Sequence, residues 1–485
     1  MLGILALGTL AIAVGCGSVP PAVSVATVTL PAYHGSLPAV TGDGVQALWQ
    51  ADWLDDSLAY PVVSNGLVIA GWRAPAGLGV TPVPAGAADS ANATVAAVRA
   101  TTGAKAWAVT LPSSLPDILG LVPAGNVVVV EAGRDIGQRP FGVVPDVTEF
   151  LGLDQATGRQ LWAVPAVGDY QQPAIASAGT VAGALLITGD SSGTVTARWA
   201  ATGTVAWQAP AGCPLLTDDS TPPVTLAADG SLIAESGSGD PATVVRRLDP
   251  ATGRPRWTWR APGATMAGNL MISVNGAARD GSAVLVTGLG DPGASGKTWS
   301  AVDLPTPYRW PASLGGPQAE GFTLALDAAR GRPRWSQAGN YHFEWYALTA
   351  GAVCGIMGGI QCRDDVTAAT TMADFAPPPK GHDESTYLAD GLAVITSAPA
   401  PGSGIALTVL AVRGGAITTR ARLAIRPYAH DTGQVYAPTV VAAGALPGGG
   451  YLILLDRRDL PDSPILALRL RTQAGQPRVA AARSR

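Results

Sequence analysis

One nine-residue stretch, Asp154-Gln155-Ala156-Thr157-Gly158-Arg159-Gln160-Leu161-Trp162, recurs along the chain and constrains everything else about it. Aligned on the tryptophan, five copies end at Trp107, Trp162, Trp207, Trp257 and Trp335. Each copy has a glycine four residues earlier: Gly103, Gly158, Gly203, Gly253 and Gly331. Thr102, Thr157, Thr202 and Thr252 precede four of these glycines, and Arg330 precedes the fifth. Asp154, Asp249 and Asp327 stand eight residues before their tryptophans, where the other two copies have Arg99 and Trp199.

An apolar run of alternating character leads into each copy, as in Thr194-Val195-Thr196-Ala197-Arg198-Trp199. Period-two alternation predicts a strand. The polar segment that follows contains a glycine, which accepts the positive φ of a tight turn. Aspartate or threonine there can bond nearby backbone amides. Each copy therefore reads as strand, turn, strand. A second hairpin lies upstream, clearest at Tyr60-Pro61-Val62-Val63 and Leu67-Val68-Ile69-Ala70 around Asn65-Gly66. Four antiparallel strands per repeat predict an all-β chain, a β-propeller of four-stranded blades. A blade cannot bury both of its faces alone, so its neighbours must cover them, and the tryptophan is suited to fill the gap between blades.

The motif resembles the PQQ-like (pyrroloquinoline-quinone-type) propeller repeat, a family that includes BamB-like bacterial lipoproteins and the quinoprotein dehydrogenases. The resemblance covers roughly residues 45–472. It implies a propeller. From the lipoprotein branch it implies a scaffold role, and from the dehydrogenase branch a quinone held with calcium over the central channel. Asp154, Asp249 and Asp327 belong to the structural turn, so the cofactor-holding residues of the dehydrogenases have no counterpart that can be placed here. No cofactor is expected, with PQQ or calcium as the alternative.

Blades one to four end near residues 110, 165, 210 and 261, and blade five near Ala338. Three degenerate repeats follow, Tyr341–Pro379, Glu384–Arg426 and Tyr428–Thr472. In the first of these Phe375 is expected in the tryptophan position. The last supplies three strands, and Ala47-Leu48-Trp49 is expected to close the ring as its fourth. Eight blades result, or seven if Tyr341–Pro379 is an insertion.

Residues 1–15 form an apolar run too short for a comfortable membrane span. They read as a secretory signal. Ala13-Val14-Gly15-Cys16 resembles a bacterial lipobox, which implies lipidation of Cys16 and anchoring to the outer face of the cytoplasmic membrane. Residues 16–44, rich in Pro, Val, Ser, Thr and Gly, read as a tether. Residues 473–485, with Arg478, Arg483 and Arg485, read as a solvated basic tail.

Cys354 and Cys362 are expected on adjacent strands of blade six, where an exported protein can form a disulfide. Cys213 has no evident partner. His34, His342, His382 and His430 are scattered. Asp218-Asp219 and Asp364-Asp365 suit turns as well as calcium. The chain lacks the spacings of a nucleophile elbow, a zinc protease helix, a P-loop and an EF-hand. No catalytic residue is therefore assigned.

Extra residues fall between the second and third strands of blade one (71–93), two (132–148), five (288–320) and seven (397–404). Loops in that position share one face of a propeller, and insertions on one face mark a binding face. They carry Trp72, Arg73, Arg134, Arg139, Phe141, Trp299, Tyr308, Arg309 and Trp310. Trp, Tyr and Arg dominate interface hot spots. The same aromatics could instead anchor long loops to the blades. A net charge of −4, with no basic patch, excludes a general nucleic-acid surface. The expectation is a monomeric, lipid-anchored scaffold that binds an envelope protein or cell-wall component. The alternatives are a quinone- or metal-dependent enzyme and a glycan-binding protein.

Overall fold

The computed structural model describes the strands given below and short segments adjoining them, all within residues 26–470. Its elements are strands. They assemble into eight antiparallel sheets that follow the chain: 58–110, 117–165, 174–210, 224–260, 271–339, 345–372, 384–423, and 439–470 with Val45–Ala51. Each contributes four consecutive strands in simple up-and-down order, except that the eighth takes its fourth from the N-terminal side. A two-stranded ladder, Tyr428–Ala429 with Val435–Tyr436, stands apart. The repeat reading therefore holds in its eight-sheet form. Tyr341–Pro379 contains a sheet of its own and is not an insertion.

The first strand of each sheet neighbours the first strand of the next. Thr439–Ala445 of sheet eight neighbours Leu58–Ser64 of sheet one, so the order of neighbours returns to its start. This arrangement buries both faces of a sheet, and the sequence reflects it. Leu67–Trp72, Val127–Asp135 and Tyr451–Asp456 contain unbroken apolar runs, where a half-exposed sheet would alternate. Val68 and Ala70 pack toward sheet eight, while Ile69 packs toward sheet two. The core is thus a series of layers, each filling the gap between two sheets.

Val45–Ala51 pairs with Ile465–Leu470, as expected for a closing strand. Two shorter pairings lie within the segment read as a tether. Val40–Thr41 adds to the outer edge of sheet seven beside Leu423 and Arg422, and Ala26–Thr27 adds to sheet one beside Thr110 and Val109. Only residues 42–44 separate the strand on sheet seven from the strand on sheet eight, so the backbone itself bridges that seam.

Register explains the tryptophans. On the fourth strand each one lies opposite a residue of the third strand, immediately before a bulge. The pairs are Trp107 with Ala97, Trp162 with Gly152, Trp207 with Ala197, Trp257 with Arg247, and Trp335 with Ala325. Trp49 with Ala467 repeats the pattern in sheet eight, a sixth copy. Apart from Arg247, the residues opposite are alanine or glycine, which leave room for a ring. A Cβ on Gly152 would fall 2.1 Å from the Trp162 indole. In sheets six and seven the same position holds Met372, opposite Cys362, and Thr419, opposite Val409. Phe375, expected in this role, lies outside the described residues. The bulge skips one residue of the fourth strand, and that skip puts Met372 in the tryptophan register.

Candidate binding face

Antiparallel order divides each sheet into two ends. The turns after the first and third strands share one end. The loops after the second strand, with the links to the next sheet, share the other. The two ends differ sharply.

At the first end, five turns repeat one geometry. Gly158 sits at φ +72°, and its N–H bonds the Asp154 carbonyl at 2.8 Å. Gly103, Gly203, Gly253 and Gly331 do the same. The Asp154 carboxylate accepts from the amides of Ala156 and Thr157 and from the Thr157 hydroxyl. Asp249 and Asp327 accept the equivalent amides. The Arg256 guanidinium, bonded to Asp249 at 2.8 Å, holds that carboxyl below its usual range. Burial pushes the Asp327 carboxyl up, but bonds from Arg334, Arg330 and Ala329 outweigh it and hold it low. These carboxylates are committed to turn groups, and Asp249 and Asp327 to arginines as well, which does not suit them to hold calcium or a quinone. Among the described residues no three His, Cys, Asp or Glu side chains gather as a metal site.

The turns also receive the neighbouring sheet. Trp49 donates to the Ala100 carbonyl, Trp107 to Gln155, Trp162 to Ala200, Trp207 to Pro250 and Trp257 to Ala328, at 2.7–2.9 Å. Every acceptor is the first residue of the next sheet's turn. Each ring also covers that turn's glycine, where a Cβ would meet it at 2.5–2.8 Å. Arg247, opposite Trp257, donates to the same Ala328 carbonyl. At this end Asn65, at φ +49°, forms the expected Asn-Gly turn with Gly66, and its side-chain amide donates to the Gly125 carbonyl of sheet two at 2.8 Å. This end is a uniform, directional series of contacts, and it is spent on holding sheets together.

The opposite end is irregular. Between second and third strands the chain spans 73–93 in sheet one, 136–144 in sheet two, 291–319 in sheet five and 398–404 in sheet seven, against 357–359 in sheet six. In sheets one, two and five the extra residues fall where the sequence placed them, with their outer residues taken up by strands. The span expected as an insertion in sheet seven is no longer than 236–243 in sheet four or 457–464 in sheet eight. Trp72 ends the second strand of sheet one opposite Thr94, at the base of its loop. Arg134 pairs with Val147 at the base of the sheet-two loop. Arg73, Arg139, Phe141, Trp299, Tyr308, Arg309 and Trp310 lie outside the described residues, as do Cys16, Cys213 and the four histidines. Cys354 and Cys362 are directly opposed on adjacent strands of sheet six.

Sequence reasoning missed Glu131. It follows the run Val127-Val128-Val129-Val130 and is 1% exposed, and among the described residues neither carboxylate oxygen has a hydrogen-bond partner. Gly120 opposite it leaves the space it occupies, since a Cβ there would lie 3.3 Å from Glu131 Oε2. Burial pushes its carboxyl up to about 8. A lone acid at the end of a valine run is the signal that would have found it.

Residues 34–239 match a family model described as "Outer membrane protein assembly factor BamB", in agreement with the PQQ-like repeat resemblance. Among curated proteins no match is found. Solved structures similar to the chain include BamB from Moraxella catarrhalis, at 12% identity and TM-score 0.46, covering 90% of this chain and 99% of that one. The C-terminal WD40 domain of Sif2 has 10% identity and TM-score 0.44, with 88% and 99% covered. A europium-containing methanol dehydrogenase has 10% identity and TM-score 0.40, with 88% and 93% covered.

Proposed function

We propose that this chain is an exported, lipid-anchored β-propeller that works as a monomeric binding scaffold at the cell envelope. The observation that carries the reading is the division between its two ends. One end repeats a single turn five times and joins sheet to sheet. The other varies from the short 357–359 turn to the long 291–319 loop. Long insertions concentrated at one end of a repeat array are how repeat proteins build a recognition surface. The aromatic and arginine content of these loops suits a protein partner, because such side chains bring large contact area and planar donors. The family matched over residues 34–239 is described as an assembly factor, which supports a protein partner and an envelope setting. The lipobox-like Ala13-Val14-Gly15-Cys16 supports anchoring through Cys16.

The test is capture. Crosslinking in the native membrane, then pull-down of tagged protein and mass spectrometry, should return one dominant protein. Gly290 and Glu320 are paired across the ladder, so replacing 291–319 by a short glycine-serine link closes the hairpin without disturbing sheet five. That variant should remain folded and lose the partner. Unchanged capture would overturn the assignment of this loop. A melt raised by quinone plus calcium would overturn the scaffold reading in favour of an enzyme.

A further inference from the structure

We propose that Cys354 and Cys362 are joined by a disulfide that braces sheet six along the row from which its tryptophan is missing. The argument is one of register. In six sheets the fourth strand places a tryptophan opposite the third strand just before a bulge, and the row continues to an aliphatic residue on the second strand. In sheet one the row is Trp107, Ala97, Ile69, and in sheet eight it is Trp49, Ala467, Leu454. In sheet six it is Met372, Cys362, Cys354. The bulge falls between Cys362 and Arg363, at the same step as in the other sheets, so the register follows the rule of the whole array.

Directly opposed residues of an antiparallel pair have α-carbons about 4.5–5.5 Å apart. Disulfides span about 4.4–6.8 Å. The two cysteines are thus placed for bonding by the ladder itself, with no movement of backbone. The position also explains why a crosslink is useful there. The indoles of Trp49, Trp107, Trp162, Trp207 and Trp257 join their sheets to the next, and Met372 and Thr419 have no indole N–H to do so. At the seam between sheets seven and eight, residues 40–51 cross from one outer edge to the other. The proposed bond joins the second and third strands of sheet six and so stiffens that sheet itself, not its seam with sheet seven.

The chemistry balances by exchange. One cysteine thiolate attacks oxidised glutathione, breaking its S–S bond, forming a mixed disulfide and releasing one glutathione thiolate. The second cysteine thiolate attacks the mixed disulfide at the protein sulfur and releases the other. The two glutathione thiols thus carry the two electrons and two protons that the cysteine pair loses. In the cell this needs an oxidising compartment, which is where the proposed function places the chain.

Trypsin cleavage after Arg334 and Arg363 puts both cysteines in one peptide, 335–363. The purified full chain is incubated with oxidised glutathione, treated with a thiol-blocking reagent, and digested without reductant. Peptide 335–363 should be two hydrogens lighter and unblocked. Recovery of that peptide with both cysteines blocked would overturn the bond. A second measurement tests the bracing. Reductant should lower the melting midpoint of the wild type to that of Cys354→Ala/Cys362→Ala, and leave the double variant unmoved. A wild-type midpoint indifferent to reductant, with the crosslink present, would overturn it. Neither measurement involves the partner, so failure here leaves the scaffold reading intact.

Discussion

The indole N–H of Trp107 donates to the backbone carbonyl of Gln155 at 2.8 Å, from the fourth strand of one sheet to the turn of the next. Trp107 is 5% exposed, so the acceptor has little access to water if the donor is removed. Trp107→Phe keeps an aromatic ring and deletes the donor, leaving a buried carbonyl unsatisfied at about 1–3 kcal/mol. Trp107→Ala adds a cavity and should cost about 3–5 kcal/mol. Urea unfolding followed by circular dichroism checks both. A phenylalanine variant as stable as wild type would show that the bond contributes nothing beyond ring packing.

The same ring sets the residue at position 158. Gly158 combines φ +72° with a Cβ position 2.6 Å from the Trp107 ring. Gly158→Ala should therefore cost more than the roughly 1–2 kcal/mol of left-handed backbone strain alone. In Trp107→Ala the ring is gone, and only the backbone strain should remain. The double-mutant cycle is expected to show coupling, because the two residues touch. Additive costs would place the strain wholly in the backbone.

This pair also shows what could be read in the sequence and what could not. Gly158 and Trp162 were legible because the array repeats one local geometry and writes it five times. Trp49 was legible as a tryptophan-bearing strand without its hairpin. The acceptors were not, since Ala100, Gln155, Ala200, Pro250 and Ala328 share no side-chain chemistry and present only a carbonyl. Phe375 was assigned by residue type, whereas the bulge sets the register and puts Met372 in that place. The insertions of sheets one, two and five could be located by counting residues between strands, whereas 398–404 of sheet seven is no longer than the same span in sheets four and eight. The arrangement of Trp299 and Trp310 could not, because a long loop has no periodicity that fixes which side chains meet.

Glu131 makes stability depend on pH. Its folded carboxyl is pushed up to about 8 from an ordinary value of 4.5. Below 4.5 it is protonated whether folded or not, and it contributes no pH dependence. Between 4.5 and 8 the unfolded chain ionises and the folded one does not, so stability falls as pH rises, then levels off above 8. Glu131→Met removes the titration and should be more stable than wild type at pH 8, by an amount on the order of a few kcal/mol. The gap should shrink toward pH 4.5. Asp249 works in the opposite sense. Its lowered carboxyl contributes stability that is present above the ordinary aspartate range and lost as pH falls through the folded value. Unfolding midpoints of wild type, Glu131→Met and Asp249→Ala across pH 3–9 separate the two. A gap between wild type and Glu131→Met that does not change with pH would refute the assignment of Glu131.

Val45–Ala51 is the fourth strand of sheet eight, although it precedes every other strand of that sheet in the chain. Through Trp49 it reaches the Ala100 carbonyl and covers Gly103 of sheet one. Its loss would remove one tryptophan contact and expose the edge of Ile465–Leu470, whose side chains are almost entirely buried. A chain beginning at residue 37 keeps this strand and should unfold cooperatively near the wild-type midpoint. A chain beginning at residue 52 should lose cooperative unfolding or aggregate through the open edge. Trp49→Ala in the full chain should cost about 3–5 kcal/mol, matching Trp107→Ala, because both rings do the same work between sheets. Adding a peptide of residues 37–51 to the shorter chain should restore its transition, since the strand is held by pairing to Ile465–Leu470. A chain from residue 52 that melts like wild type would mean that sheet eight stands on three strands, and that its junction with sheet one does not depend on Trp49.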